Sequence, residues 1–412
     1  MIGINRHTLG NGLRIVHSED ATTQMVALNL LYDVGARDEH PQHTGFAHLF
    51  EHLMFGGSRH IPNYDRPLQA AGGENNAWTN NDVTNYYLTL PAQNAETGFW
   101  LESDRMLELA FTPQSLEVQR QVVSEEFKQR YLNQPYGDLA FLVRSLAYRV
   151  HPYRWPTIGQ SIEHITQATL GDVRRFFFRH YAPNNAILAI TGNITAERAF
   201  QLSEKWFGGI PRRNVPPRSL PEEPRQTKER RLRVERDVPA PLLYLTFHMP
   251  GRHHPDYHAF DMLTDLLANG RSSRLIQRLQ KDRHLFASID AYVSGSIDPG
   301  LLHINGRLAP GISMAQAEEA LWGELEALKQ EDVSMAELEK VKNKFESNQL
   351  FANLNYLDLA SNLAFFELIG KAEDINGEVA RYRAVANADI RRIAQNTFIR
   401  ENCCTIHYIA QP

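Results

Sequence analysis

The chain has 412 residues, of which 42% are hydrophobic and 22% charged, with a net charge of −5. That length exceeds one ordinary core and predicts two domains of about 200 residues each; the composition is that of a globular protein rather than a fibrous or disordered one. So mild a charge excludes the basic footprint of a DNA, RNA or anionic-membrane binder, and no stretch approaches the ~20 apolar residues of a membrane span.

The N-terminal residues Met1-Ile2-Gly3-Ile4-Asn5-Arg6 lack the apolar run of a signal peptide. The only cysteines, Cys403 and Cys404, are adjacent and cannot staple distant segments. Both features predict a cytoplasmic protein, and a processed periplasmic form would read the same way.

In chain order, residues 12–17 and 26–30 alternate as strands, and 84–90 is a third, rich in aromatic and β-branched side chains. Helical periodicity covers 44–56, 95–109, 113–132, 258–269, 315–329 and 335–370. Strands and helices mix without a strict βαβ rhythm, which predicts an α+β fold with mainly antiparallel sheets. Between 208 and 231 stand Pro211, Pro216, Pro217, Pro221 and Pro224. Proline density of this kind predicts a linker over 211–230 that separates a first domain, 1–210, from a second, 231–412.

The two halves look related. Asp172-Val173-Arg174-Arg175-Phe176 is echoed 217 residues later by Asp389-Ile390-Arg391-Arg392-Ile393. At the same offset Asn185 falls on Asn402, and the apolar run from Ala186 falls on the one from Cys403. A repeat this long predicts duplicated domains, each ending in a helix, a turn and a strand.

The chemistry gathers at His48-Leu49-Phe50-Glu51-His52. On a helix, positions i, i+3 and i+4 share one face. Two imidazoles one turn apart can take two corners of a tetrahedral zinc, with nitrogens ~2.0–2.1 Å from the metal. Glu51 points the same way without being forced to ligate. It can take a proton from an attacking water and return it to a leaving amine. Zinc lowers the pKa of a water it holds toward ~7, so the nucleophile is available at neutral pH. The apolar residues around this triplet predict a helix set into the core, where polar groups need partners. A catalytic zinc takes a third protein ligand, and the acidic pair Glu125-Glu126 supplies a candidate.

These residues are the inverted zinc motif, and their context resembles the pitrilysin family of zinc peptidases. Three blocks carry the resemblance: Gly35-Ala36-Arg37-Asp38-Glu39 with 44–56; Gly72-Gly73-Glu74-Asn75-Asn76-Ala77-Trp78-Thr79 through Tyr87; and 122–127. The resemblance implies Glu126 as third ligand, 74 positions after His52, with Glu125 beside it as a possible supporting residue. It implies that Asn76, Ala77, Trp78 and Thr79 form the edge strand that holds an extended substrate through main-chain bonds.

It implies, too, a clamshell of four homologous domains around a chamber that admits short, unstructured peptides. This chain supplies two of the four. Gln119, a second possible supporting residue, stands where the family often has a glutamate, and Gln280 and Ala287 stand where active members carry an arginine and a tyrosine. The second half reads Asp265-Leu266-Leu267-Ala268-Asn269 where a zinc motif would fall. The expectation is a zinc endopeptidase with one Zn2+ per chain, paired with a homologous subunit that supplies the arginine and tyrosine. A homodimer is the second choice. The alternative function is a non-catalytic assembly or recognition subunit, and cobalt or manganese is an alternative metal.

Overall fold

The computed structural model describes residues 1–411. Eleven strands appear in chain order: β1 Asn5–Thr8, β2 Arg14–Glu19, β3 Met25–Tyr32, β4 Glu74–Thr79, β5 Thr84–Pro91, β6 Ala186–Gly192, β7 Arg230–Arg236, β8 Leu242–Met249, β9 Phe286–Val293, β10 Gly300–Leu308 and β11 Cys403–Ala410. The longer helices used below are α1 Phe46–Leu53, α2 Ala95–Leu107, α3 Pro113–Phe127, α4 Leu139–Ala147, α5 Leu170–His180, α6 Tyr257–Ala268, α7 Met314–Gln330, α8 Met335–Ala352, α9 Tyr356–Ile369 and α10 Asn387–Thr397.

The residues fall into two compact units. One comprises Met1–Leu132, His151–Pro221 and Leu350–Gly377; the other comprises Asn133–Val150, Glu222–Gln349 and Glu378–Pro412. The units are therefore not the contiguous stretches 1–210 and 231–412. The physical reason is that a sheet has two faces, and each unit borrows a distant helix for one of them.

In the first unit the sheet order is β1-β2-β6-β3-β5-β4. Strands β2 and β6 run parallel, and the other pairings are antiparallel. β6 is buried along its length, as is β3 from Val26 on, the pattern of strands covered on both faces. One face packs Val16, Ala27, Leu31, Ile187 and Ala189 against Leu359, Ala360, Leu363 and Phe366 of α9.

The second unit repeats the plan as β7-β11-β8-β10-β9, again with one parallel pair, β7 with β11. There α4 lies on β7, β8 and β11, and α6, α7 and α10 share the core of the opposite face with Leu243, Leu245, Phe247, Leu302 and Ile304.

The register of the duplication is maintained. Helices α5 and α10 both begin and end 217 residues apart, strands β6 and β11 begin 217 apart, and so do the two borrowed helices α4 and α9. Each repeat thus contributes its own copy of one helix to the other repeat's sheet.

Two expectations change in detail. The single helix anticipated over 335–370 is two, because the Asn355 side chain accepts hydrogen bonds from the amides of Leu357 and Asp358 and starts α9 afresh. The proline-rich segment 211–228 has no helix or strand, yet it is anchored rather than free. Arg213 donates to the carbonyl oxygens of Tyr181, Met106 and Leu107. Arg218 pairs with Asp33 at 2.8 Å and Asp38 at 2.7 Å.

Candidate metal centre

Helix α1 starts at Gly45, whose φ of 87° is left-handed; an added Cβ would meet the Ile158 carbonyl oxygen at 2.5 Å. Glycine is required there. The start is capped by a residue from outside the helix: Glu39, buried, accepts from the amides of Gly45 at 2.9 Å and Ala47 at 2.8 Å. A carboxyl group at this end satisfies orphan donors of the first turn. The buried face of α1 is Phe46, Ala47, Leu49, Phe50 and Leu53, which leaves His48, Glu51 and His52 half-buried on the opposite face.

Helix α3 packs against α1. Thr112 caps its start, accepting from the Ser115 amide, with Pro113 at the first helical position. Burial of Val123 and Phe127 orients α3 and turns Glu126 toward α1. Glu126 Oε2 lies 3.5 Å from His48 Nε2 and 3.4 Å from His52 Nε2. A tetrahedral zinc with bonds of ~2.0–2.1 Å separates its ligand atoms by about 3.4 Å. The three donor atoms all lie within 4.8 Å of one another, and among the described residues this is the one such cluster of three or more His, Cys, Asp or Glu side chains. Two imidazoles and a carboxylate are a hydrolytic zinc donor set, so the residues present fit that metal. His48 Nδ1 is buried without a hydrogen-bond partner, which leaves Nε2 as the nitrogen that faces the other two donors.

Electrostatics follow from this placement. Burial pulls the His48 imidazole down to about 4, against the attraction of Glu126. The hydrogen bond with His52 draws the Glu126 carboxyl below its ordinary value. Burial pushes Glu51 up, while Thr79 and His52 pull it back. The neutral imidazole and ionised carboxylate favoured in this way are the forms that bind metal.

The strand residues Asn76, Ala77, Trp78 and Thr79 lie on β4. Among the described residues that strand pairs only with β5 and is a sheet edge, so its outer row of main-chain groups is open. β4 also touches α1. Exposure alternates, with Asn76 and Trp78 outward and Ala77 and Thr79 half-buried.

Of the two residues expected to support Glu126, Glu125 turns away. It is 60% exposed and pairs with Lys128 at 2.6 Å, because successive helix positions do not share a face. Gln119 lies two turns before Glu126 on α3 and is half-buried. The group that contacts Glu126 is Arg130, whose Nη1 is 3.0 Å from Glu126 Oε1. Sequence reasoning missed it, although the i,i+4 acid–base spacing was there to be read.

In the second unit, Gln280 Nε2 donates to the Ala287 carbonyl oxygen at 3.0 Å. The two positions that depart from the family's arginine and tyrosine are thus neighbours in space.

Residues 14–160 match the family described as Insulinase (Peptidase family M16), and residues 167–345 match the one described as Peptidase M16 inactive domain. The fold and these matches define the class: the chain belongs to the M16, pitrilysin-like peptidase family. Zinc protease PqqE of Helicobacter pylori is 28% identical over 399 residues, covering 95% of this chain and 89% of that protein. A Bacillus subtilis protein named as the uncharacterized zinc protease YmxG is 25% identical, covering 97% and 96%. Among solved structures, a protease from Helicobacter pylori superimposes over the whole of both chains, with a TM-score of 0.93 and 27% identity. Pitrilysin shares the fold at a TM-score of 0.79 and 17% identity; the match covers all of this chain and 45% of that one. Among the described residues, no helix is long and apolar enough to cross a membrane.

Proposed function

We propose that this chain is a zinc metalloendopeptidase in which His48, His52 and Glu126 hold the metal and Glu51 moves the proton. The observation that carries the reading is the separation of Glu126 Oε2 from the two imidazole nitrogens, 3.5 and 3.4 Å, the edge lengths of a zinc tetrahedron. The relatives named as zinc proteases support it.

Zinc bound there supplies Lewis acidity, polarising the scissile carbonyl and acidifying water. The chain's residues do the rest. The open edge of β4 offers main-chain donors and acceptors to an extended peptide, a mode that holds varied sequences and sets direction. Glu51 stands on the same helix face as the histidines and beside Thr79 of β4. It accepts the proton of the attacking water and delivers it to the leaving nitrogen. Its raised pKa favours the first of these steps, since a carboxylate made more basic by burial takes the proton of the attacking water more readily.

The chain acts with a second, homologous chain. This reading is supported by Gln280 and Ala287, neither of which can donate to an oxyanion as a guanidinium or phenol would. A heterodimer whose other subunit carries those donors completes the chamber.

The test is cleavage of a quenched fluorescent peptide by this chain alone and with its co-purifying homologue. The expected result is chelator-sensitive activity, restored by zinc, that requires both chains. Full activity of the single chain would remove the split-site part of the reading. A zinc-loaded pair with no activity on any unstructured peptide would favour an assembly subunit.

A further inference from the structure

We infer that Arg130 is a positioning residue for the metal centre, holding one oxygen of Glu126 so that the other is presented to the metal. The inference rests on the metal site proposed above and concerns how that site is built.

Two adjacent carboxylates end α3, and their counter-charges separate them. Glu125 pairs with Lys128 on the solvent side, at exposures of 60% and 46%. Glu126 is 17% exposed and pairs with Arg130 through Oε1, at 3.0 Å. Its other oxygen, Oε2, is the atom that stands 3.5 and 3.4 Å from the imidazoles. The carboxylate is thus divided, with one oxygen on the guanidinium and one on the metal side. A carboxylate without such a partner can swing about its terminal torsion, which is broad and nearly two-fold, and can offer both oxygens to a metal.

The backbone contributes. Directly after α3 the helix widens into a π-helical turn over Lys128–Leu132, a local distortion that is concentrated at functional sites. Arg130 sits in the middle of that turn and reaches back toward the donors. Its positive charge acts on His48, Glu51 and Glu126 alike. The side chain is 68% exposed, so it adds little to the stability of the fold. Its consequence falls on the ligand it touches. Outer partners that orient a ligating group typically change metal affinity by 10–100-fold.

The experiment measures zinc affinity by competition with a chromophoric chelator, and the visible spectrum of the cobalt-substituted protein. The proteins are wild type, Arg130→Ala, Arg130→Lys and Glu126→Ala. The expected result is a zinc Kd at least ~10-fold weaker in Arg130→Ala. Its cobalt absorption should be weaker as well, as a four-coordinate site with a one-oxygen carboxylate gives way to higher coordination. Arg130→Lys should recover part of both, because lysine restores the charge without the fork. The melting temperature of the metal-free protein should not move. Zinc affinity and cobalt spectrum unchanged in Arg130→Ala, with Glu126→Ala strongly weakened, would overturn the role of Arg130 and leave the metal site standing. Wild-type zinc affinity in Glu126→Ala would overturn the site itself and this role with it.

Discussion

Lys344 Nζ lies 2.9 Å from Asp265 Oδ2. Asp265 is the residue 217 positions after His48, and Asn269 the one 217 after His52. Asn269 Nδ2 donates to Asp265 Oδ1 at 2.6 Å, and Lys344 Nζ also reaches the Asn269 carbonyl oxygen at 3.3 Å. Lys344 belongs to α8, which follows α7 of the second repeat. The second repeat therefore carries an ammonium at the positions equivalent to the proposed metal site: a carboxylate stands in place of an imidazole, and a lysine from another helix answers it.

The first prediction follows from that difference. The protein should bind one zinc per chain, and Lys344→Ala should leave that stoichiometry unchanged. The cost should fall on stability instead, because Asp265 is 5% exposed and would lose its cation. Lys344 is 36% exposed, so solvent screens the pair, and the loss should be about 1–2 kcal/mol rather than the larger penalty of a fully buried pair. Metal analysis and thermal melting of the metal-free protein check both halves. A second zinc per chain in the wild type would contradict the assignment.

The borrowed helices make the repeats interdependent. A fragment ending at residue 230 keeps β1–β6 but loses α9, and with it the cover over Val16, Ala27, Leu31, Ile187 and Ala189. An exposed apolar face of this kind drives aggregation. We expect the fragment to be insoluble or molten by near-ultraviolet circular dichroism, and to be rescued by co-expression with the remainder. A monomeric fragment with a cooperative melt would show that α9 is dispensable.

Acid should destabilise the metal-free fold through two histidines outside the metal centre. Burial pulls His180, which ends α5, down to about 4, and His303, on β10, down to about 3. An unfolded imidazole titrates near ~6.5. The folded state holds both rings neutral, so their contribution is complete above ~6.5 and drains away as pH falls toward 4 and 3. Each contributes on the order of 3 kcal/mol at neutral pH. Melting temperatures in chelator should fall steeply below pH 6.5, and the double variant His180→Gln with His303→Gln should flatten that slope. An equal slope in the double variant would assign the acid sensitivity elsewhere.

Glu39 should matter out of proportion to its distance from the chemistry. It caps α1 through two amides, and burial pushes its carboxyl up to about 8 against their pull. A raised carboxyl pKa means that the folded state holds the proton more tightly, so stability should decline as pH rises from ~4.5 through 8. Glu39→Gln, neutral at every pH, should remove that alkaline decline. Glu39→Ala should cost about 1–3 kcal/mol by leaving the Gly45 and Ala47 amides unmet. Melts between pH 6 and 9 decide the point, and a parallel alkaline decline in Glu39→Gln would count against it.

The parts of this account legible in the sequence are those encoded by spacing along one element. The face shared by His48, Glu51 and His52 follows from helical periodicity, and the family resemblance carried Glu126. The strands around 12–17 and 26–30 follow from period-two alternation, and the one at 84–90 from its aromatic and β-branched side chains. The offset of 217 residues foretold two sheets of one plan. What stayed hidden depends on rotamers and tertiary contacts. Which oxygen of Glu126 faces the imidazoles, and that Arg130 takes the other, is settled by side-chain torsions. The exchange of α4 and α9 cannot be read from either helix, since both simply present an apolar face. Glu39 stood in plain view within Gly35-Ala36-Arg37-Asp38-Glu39, but nothing local says that a carboxylate six residues upstream will cap α1. The break before α9 was readable, because Asn355 has the chemistry of a helix start.

The most direct test of the central claim is a comparison of zinc content and peptide cleavage in wild type and Glu51→Gln, each assembled with the homologous partner. One zinc per chain is expected in both proteins, with a fall in kcat of at least ~10²-fold in the variant, as follows when the proton-transfer group is removed and the ligands remain. Wild-type turnover by a zinc-loaded Glu51→Gln protein would contradict the assignment of Glu51, and with it the reading of this helix as a catalytic centre.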